Sequence, residues 1–308
     1  MRVLSSIADL RPLTGPVALA IGVFDGVHLG HQEVIRSAQD FAVNHHGTAV
    51  VLTFDPHPMR VLRPEQAPRL LCSSRHKLRI LESQGISHVL VLPFTTETAG
   101  TDARPFVEAL VKSCQPLGFI SVGYTWTFGR GRSGNIHQLL EMGQAHGFGV
   151  LGVPEVKVGG EVASSTLIRD AVRAGDFSRA AQFLGREYTV LGTVVTGRQL
   201  GRHLGFPTAN IAVESEELPP TGVYAVTVHG PALPAQGCAG VANLGMRPTV
   251  ESEGERSLEV HLLDMDCDLY GQELDVAFVR HLRAEKRFAS LDELKAQIAR
   301  DVELARRG

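Results

Sequence analysis

Cysteine is scarce in this sequence. Cys72, Cys114, Cys238 and Cys267 stand far apart in 308 residues and form no C-x-x-C pair. That excludes a disulfide scaffold and fits reduced thiols in a cytoplasmic protein. Long apolar runs are missing too: no stretch approaches the about 20 residues of a membrane-crossing helix. Residues 1–10 include Asp9 and lack a compact apolar segment with a small-residue cleavage site, so no signal peptide and no membrane partner are expected. Neither charge sign dominates. Thirty basic and 33 acidic side chains leave a net charge of −3, and no basic-aromatic stripe occurs, so nucleic acid is not an expected partner. Internal repeats, low-complexity tracts and a G-x-x-x-x-G-K-[ST] phosphate loop are likewise absent.

What remains is an ordinary globular composition, 44% apolar and 20% charged, long enough for one large domain or two smaller ones. Glycine alone is in excess, at 32 residues. Such an excess signals tight turns, or loops where backbone must approach a ligand.

The first part alternates strand and helix signals. Apolar runs at Val17–Phe24, Thr48–Phe54, Val89–Phe94, Phe119–Gly123 and Gly149–Val153 are separated by helical spacing, as in 31–46 through Val34, Ile35, Ala38, Phe41 and Ala42. This predicts βαβ units around a parallel sheet. A helix is expected over 167–184. Beyond it, short β-branched segments at 188–195, 222–228, 238–242, 258–263 and 274–279 predict a small antiparallel barrel. Ser290 and Glu293 form a capping-box pattern ahead of a closing helix with Leu291, Leu294, Ile298 and Val302 on one face. The expected fold is therefore α/β plus β, with domains at 1–184 and 185–308.

Residues 22–31 read G-V-F-D-G-V-H-L-G-H, between a strand and a helix. Unpaired N–H groups and the helix dipole suit phosphate there. His28 and His31 fall on one side of the first turn, and Gly30 lets a ligand approach the backbone. A loop of this kind can stabilise the charge built up when a phosphate attacks the α-phosphorus of a nucleoside triphosphate. Two histidines that only cap the helix are the alternative. Ser164, Ser165, Thr166 and Arg169 open a second helix, either as an anion-binding end or as an ordinary cap. Asp55 and His57 follow the second strand in F-D-P-H-P, where ligands of open α/β sheets bind; a rigid proline turn is the bland reading.

Residues 197–210 read G-R-Q-L-G-R-H-L-G-F-P-T-A-N. Gly197, Gly201 and Gly205 free the backbone, and Arg198 and Arg202 bring charge. Thr208 and Asn210 alternate along an extended segment, so a hydroxyl and an amide oxygen point the same way, a pair suited to Mg²⁺. A glycine-rich hairpin with a polar face is the alternative. Glu259, in L-E-V-H-L-L, is placed near a barrel mouth, as a base for a substrate hydroxyl or as a solvated carboxylate.

Taken in order, G-V-F-D-G-V-H-L-G-H, T-F-D-P-H-P, S-S-T-L-I-R, L-G-R-E-Y, L-G-F-P-T-A-N-I, G-V-Y-A-V, V-A-N-L-G-M-R-P-T, E-V-H-L-L-D, D-L-Y-G and L-R-A-E-K-R-F span most of the chain. This series resembles the bacterial bifunctional riboflavin kinase/FAD synthetase family. The resemblance implies an N-terminal module that adenylylates FMN to FAD with release of pyrophosphate, and a C-terminal barrel that phosphorylates riboflavin with ATP. It implies ATP contacts from Gly22, Phe24, Asp25, His28, Gly30, His31, Ser164, Ser165, Thr166 and Arg169 in the first module. In the second it implies ATP contacts from Gly197, Gly201, Arg202 and Gly205, Mg²⁺ on Thr208 and Asn210, and Glu259 as base. Asp55, His57, Gly123, Thr125 and Arg283 are implied near flavin. Self-association is left open. One departure is visible: the family commonly has Asn or Asp where Thr125 stands and Phe where Trp126 stands. Threonine keeps a hydroxyl but loses the amide or carboxylate acceptor. Two other readings stay open, a riboflavin kinase with an inactive or altered first module, and a non-catalytic flavin or nucleotide sensor.

Overall fold

In a computed structural model, residues 1–197, 201, 204–214, 217–246, 256–265 and 267–307 are described. Two compact units emerge, Met1–Arg69 with Ser74–Ser165, and Leu70–Ser73 with Thr166–Gly308.

The first unit is built on β1 (Arg2–Leu4), β2 (Val17–Ile21), β3 (Thr48–Asp55), β4 (His88–Pro93), β5 (Leu117–Gly123) and β6 (Gly149–Val153). They form one parallel sheet in the order β1-β4-β3-β2-β5-β6. All five residues of β2 are buried, as a central strand covered on both faces requires. The crossovers carry α1 (Leu29–Asn44), α2 (Pro58–Leu62), α3 (Ser74–Ser83), α4 (Thr96–Ala99), α5 (Ala103–Ser113) and α6 (Ile136–His146). The five expected runs are β2 to β6. The sixth strand, β1, was not legible because three residues show no period. The chain runs from β2 outward to β3 and β4, then returns to β5 on the other side of β2. The carboxyl ends of β2 and β5 therefore flank the topological switch point, where α/β sheets bind ligands. A two-stranded hairpin, β7 (Lys157–Val158) and β8 (Glu161–Val162), follows.

The single helix expected over 167–184 is two helices, α7 (Ser165–Ala174) and α8 (Phe177–Leu184). Gly175 turns left-handed at φ +72°, and the Asp176 side chain accepts from the Arg179 amide. A glycine stop and an aspartate cap in succession interrupt a continuous apolar face.

In the second unit β9 (Thr189–Val195), β10 (Ala209–Val213), β11 (Gly222–His229), β12 (Cys238–Met246), β13 (Arg256–Leu262) and β14 (Glu273–Arg283) close an antiparallel barrel in the order β10-β13-β12-β11-β14-β9. On β13, Leu258, Val260 and Leu262 are buried. The alternate residues of β12 and β13 face outward, where Val241 packs with Val223, Leu263 and Val302 of α9 (Leu291–Arg306). Ser290 caps α9, and Glu293 reaches back to the Ala289 amide rather than to the cap residue. Leu291, expected on the apolar face of α9, is exposed; it sits in the first turn of the helix. Cys72, Cys114 and Cys238 are buried free thiols, and Cys267 is an exposed one. Among the described residues no helix is long and apolar enough to cross a membrane.

Candidate functional sites

The turn after β2 is shaped by its carbonyls. Val23 O accepts from Lys77 Nζ (3.0 Å) and Thr53 Oγ1 (2.9 Å). Asp25 O accepts from Ser165 Oγ (2.9 Å), and Val27 O from Gln32 Nε2 (2.9 Å). In trans peptides each N–H opposes its own C=O. Capture of alternate carbonyls by side chains from four elements, α3, β3, α7 and α1, therefore fixes the direction of the following amides as well. Phe24 and Val27 hold left-handed backbone, φ +53° and +43°, which is strained for side chains of this size.

His28 caps α1, its Nδ1 accepting from the His31 amide at 3.4 Å. The two imidazoles stack with centroids 3.6 Å apart, and Phe24 stands edge-on to His31 at 5.3 Å. Gly30 leaves room for this, since a Cβ there would lie 3.1 Å from the His28 ring. Burial above all, then the neighbouring His28 and then the Lys77 charge hold the His31 imidazole well below its ordinary pKa. Its Nδ1 is buried with no hydrogen-bond partner among the described residues. His31 thus offers a neutral imidazole at physiological pH, suited to donating a hydrogen bond to an anion.

Gly22 lies at the carboxyl end of β2, and Asp25 is buried. Gly123 ends β5 with open space at its Cβ position, and exposed Thr125 sits in the turn closed by Trp126 N to Gly123 O (2.9 Å). Trp126 stacks on Phe128 at 4.5 Å, so the departure at 126 fills core. The fold thus brings Gly22, Phe24, Asp25, His28, His31, Gly123 and Thr125 to the switch point, while Asp55 ends the neighbouring strand β3. His57 caps α2, its Nδ1 accepting from the Met59 amide. Ser164 precedes α7. Thr166 and Arg169 lie one turn apart on α7, the first exposed and the second buried.

In the barrel, register aligns the candidate residues. Asn210 pairs with Glu259, Glu259 with Asn243, Asn243 with Val223 and Val223 with Arg283. Directly opposed residues of antiparallel strands point to the same face. Glu259 therefore lies on the outer face of the barrel with Asn210 and Asn243 beside it. Gly197 is required there, because a Cβ would overlap the Asn210 carboxamide. Gly201 accepts, through its carbonyl, from the Leu204 and Phe206 amides, and Gly205 completes the turn at φ +85°. A Cβ on Gly201 would lie 3.1 Å from Thr208 Oγ1. Arg198 and Arg202 lie outside the described residues.

Thr208, Asn210 and Glu259 supply hydroxyl, amide and carboxylate oxygens. Among the described residues no cluster of three His, Cys, Asp or Glu side chains forms a metal cage. Hard oxygen donors in small number fit Mg²⁺, which keeps several waters and binds beside phosphates. Arg283 shares the Glu259 row, and its guanidinium is committed to the buried Asp301: Nε reaches both carboxylate oxygens (3.0 and 3.1 Å) and Nη2 one (2.8 Å). Gln297 also donates to Asp301.

Sequence reasoning did not single out Lys77, Asn243 or Asp301. Asn243 lies in the quoted V-A-N-L-G-M-R-P-T stretch, but only the register puts it beside Glu259. Lys77 looks like a solvent-facing helical lysine until β3 is laid against α3.

Comparison with known proteins accounts for both units. The FAD synthetase family model matches residues 11–167, and the Riboflavin kinase family model matches residues 184–308. The bifunctional riboflavin kinase/FMN adenylyltransferase of Escherichia coli (strain K12) is 40% identical over 288 residues, covering 94% of this chain and 91% of its own. That of Pseudomonas fluorescens is 38% identical over 306 residues, covering 99% and 97%. A crystal structure of a protein named macrolide-efflux protein, from Streptococcus pneumoniae, has a TM-score of 0.83 at 29% identity and covers 99% of this chain and 98% of that one. With motifs, topology and identity all running the length of both units, the chain belongs to the bifunctional riboflavin kinase/FMN adenylyltransferase family.

Proposed function

We propose that this chain makes FAD in two steps, with residues 185–308 phosphorylating riboflavin and residues 1–184 adenylylating the resulting FMN. The observation that carries the kinase step is the row Asn210–Glu259–Asn243 beside Gly197. Glu259 takes the proton of the riboflavin 5′-hydroxyl as that oxygen attacks the γ-phosphorus of ATP; the bond to the β–γ bridging oxygen breaks and ADP leaves. Thr208 and Asn210 hold Mg²⁺, and the glycines at 197, 201 and 205 with Arg202 receive the ATP phosphates. Bound Mg²⁺ neutralises phosphate charge in such a site. Arg283, tied to Asp301, borders the flavin.

In the first module a phosphate oxygen of FMN attacks the α-phosphorus of a second ATP. The α–β bridging bond breaks and pyrophosphate leaves. FMN arrives as a phosphate monoester anion, so no protein base is needed. His28 and His31 stabilise the added charge, with Gly22, Phe24, Asp25, Gly30, Ser164, Ser165, Thr166 and Arg169 around the nucleotide. Asp55, His57, Gly123 and Thr125 line the flavin side. The partners are small molecules, without nucleic acid, and the setting is cytoplasmic; self-association is a separate question for a sizing column. Incubation with riboflavin, ATP and Mg²⁺ is the test, with chromatography expected to resolve FMN followed by FAD. Formation of neither product overturns the reading, and FMN without FAD overturns its second half.

A further inference from the structure

Lys77 is 7% exposed, although lysine is among the residues least often buried. A buried ammonium is costly unless hydrogen-bonded. An apolar residue would satisfy the core side of α3, as Ile80 and Leu81 already do. What Lys77 touches is the turn after β2. Its Nζ donates to Val23 O (3.0 Å) and to Thr53 Oγ1 (3.1 Å), and Thr53 Oγ1 donates in turn to Val23 O (2.9 Å).

We propose that Lys77 is a positioning residue for the first module: its ammonium, with Thr53, clamps the Val23 carbonyl and so holds the 24–28 turn in the strained shape that presents His28 and His31. The inference rests on the adenylyl-transfer reading of that module. Val23 immediately precedes Phe24, whose left-handed φ of +53° follows from how the 23–24 peptide is oriented. Released from the clamp, Phe24 returns to ordinary backbone and its ring leaves the edge of His31, where it now stands at 5.3 Å and 86°. The stacked imidazoles then lose their buttress. The Lys77 charge also adds to burial and to His28 in keeping His31 neutral.

The test uses full-length Lys77→Met with FMN, ATP and Mg²⁺. The kcat for FAD formation is expected to fall about tenfold or more, with the KM for FMN within about twofold, because the interaction acts on geometry rather than on flavin binding. Riboflavin phosphorylation by the same preparation is expected to stay at the wild-type rate. An unchanged kcat, or a fall accompanied by a matching rise in KM, overturns the proposal. Should Lys77→Met fail to fold, Thr53→Val and Thr53→Ser decide. Loss of the hydroxyl is expected to cost about threefold in kcat and its retention nothing; equal rates in the two variants overturn the clamp. The backbone amide signals of Phe24–His28 separate the proposal from the reading it rests on. If wild type makes no FAD yet these signals move in Lys77→Met, the function was misread and the clamp stands; if they do not move, the clamp fails whatever the activity.

Discussion

The two loops proposed to handle phosphate are held in shape by opposite means. The turn after β2 is held by side chains reaching in from other elements. Lys77 and Thr53 capture one carbonyl, Ser165 a second and Gln32 a third, and non-glycine residues are kept in left-handed backbone. The barrel loop is shaped by side chains that are missing. Gly197 leaves the space that the Asn210 carboxamide fills, and Gly201 leaves the space beside Thr208. A strained turn clamped from outside is released when a clamping contact is removed, whereas a loop built on empty space is displaced when that space is filled.

The sharpest way to separate the loops is to remove their chemical groups. Glu259→Gln is expected to lower riboflavin phosphorylation about a thousandfold while adenylylation of supplied FMN continues, since an amide cannot take the hydroxyl proton. Coupled assays fed with riboflavin or with FMN read the two steps separately, and equal loss of both would refute independent sites. His28→Ala should do the reverse, costing about a hundredfold in FAD formation from FMN and sparing the kinase. Gly197→Ala asks whether the barrel loop depends on empty space. An added methyl group displaces Asn210, and a loss of about tenfold in kinase rate with about 1–3 kcal/mol of stability in denaturant unfolding is expected. Wild-type behaviour would show that the loop yields without cost.

The smallest effect concerns pH. The folded-state pKa of His31 is depressed, chiefly by burial. In the window between that depressed value and the unfolded value of about 6.5, the unfolded chain binds a proton that the folded one refuses, so stability falls as pH drops. Chemical unfolding of the first unit from pH 7.5 to 5 should show this slope, and His31→Gln should flatten it. An unaltered slope would assign the acid sensitivity to other groups.

Much of the plan was legible in the linear chain because its signals are local. Apolar runs broken by Gly47, Gly85 and Asp55-Pro56 mark the parallel strands, and the short β-branched segments after 188 mark the barrel. The strand β1 and the break at Gly175 were not legible: three residues carry no period, and an apolar face continues across the interruption between α7 and α8. Among candidate site residues, the contact of His28 with His31 was legible because the two are neighbours in sequence. Glu259 was legible as a carboxylate on a strand but not as the middle of a row, since cross-strand register is a relation between distant segments.

Composition and motif order alone therefore determined that the chain is two modules, each with a glycine-bearing loop after a strand, and which residue types those loops carry. Only the tertiary structure decided that Glu259 faces outward beside Asn210 and Asn243, that Arg283 is held by Asp301, and that a buried lysine reaches the carbonyl of Val23. The physical reason is one of range. Periodicity and caps act over a few residues and are written in the sequence. A charge becomes affordable in a core, and a strained turn becomes stable, only when groups from distant segments arrive together to hydrogen-bond them.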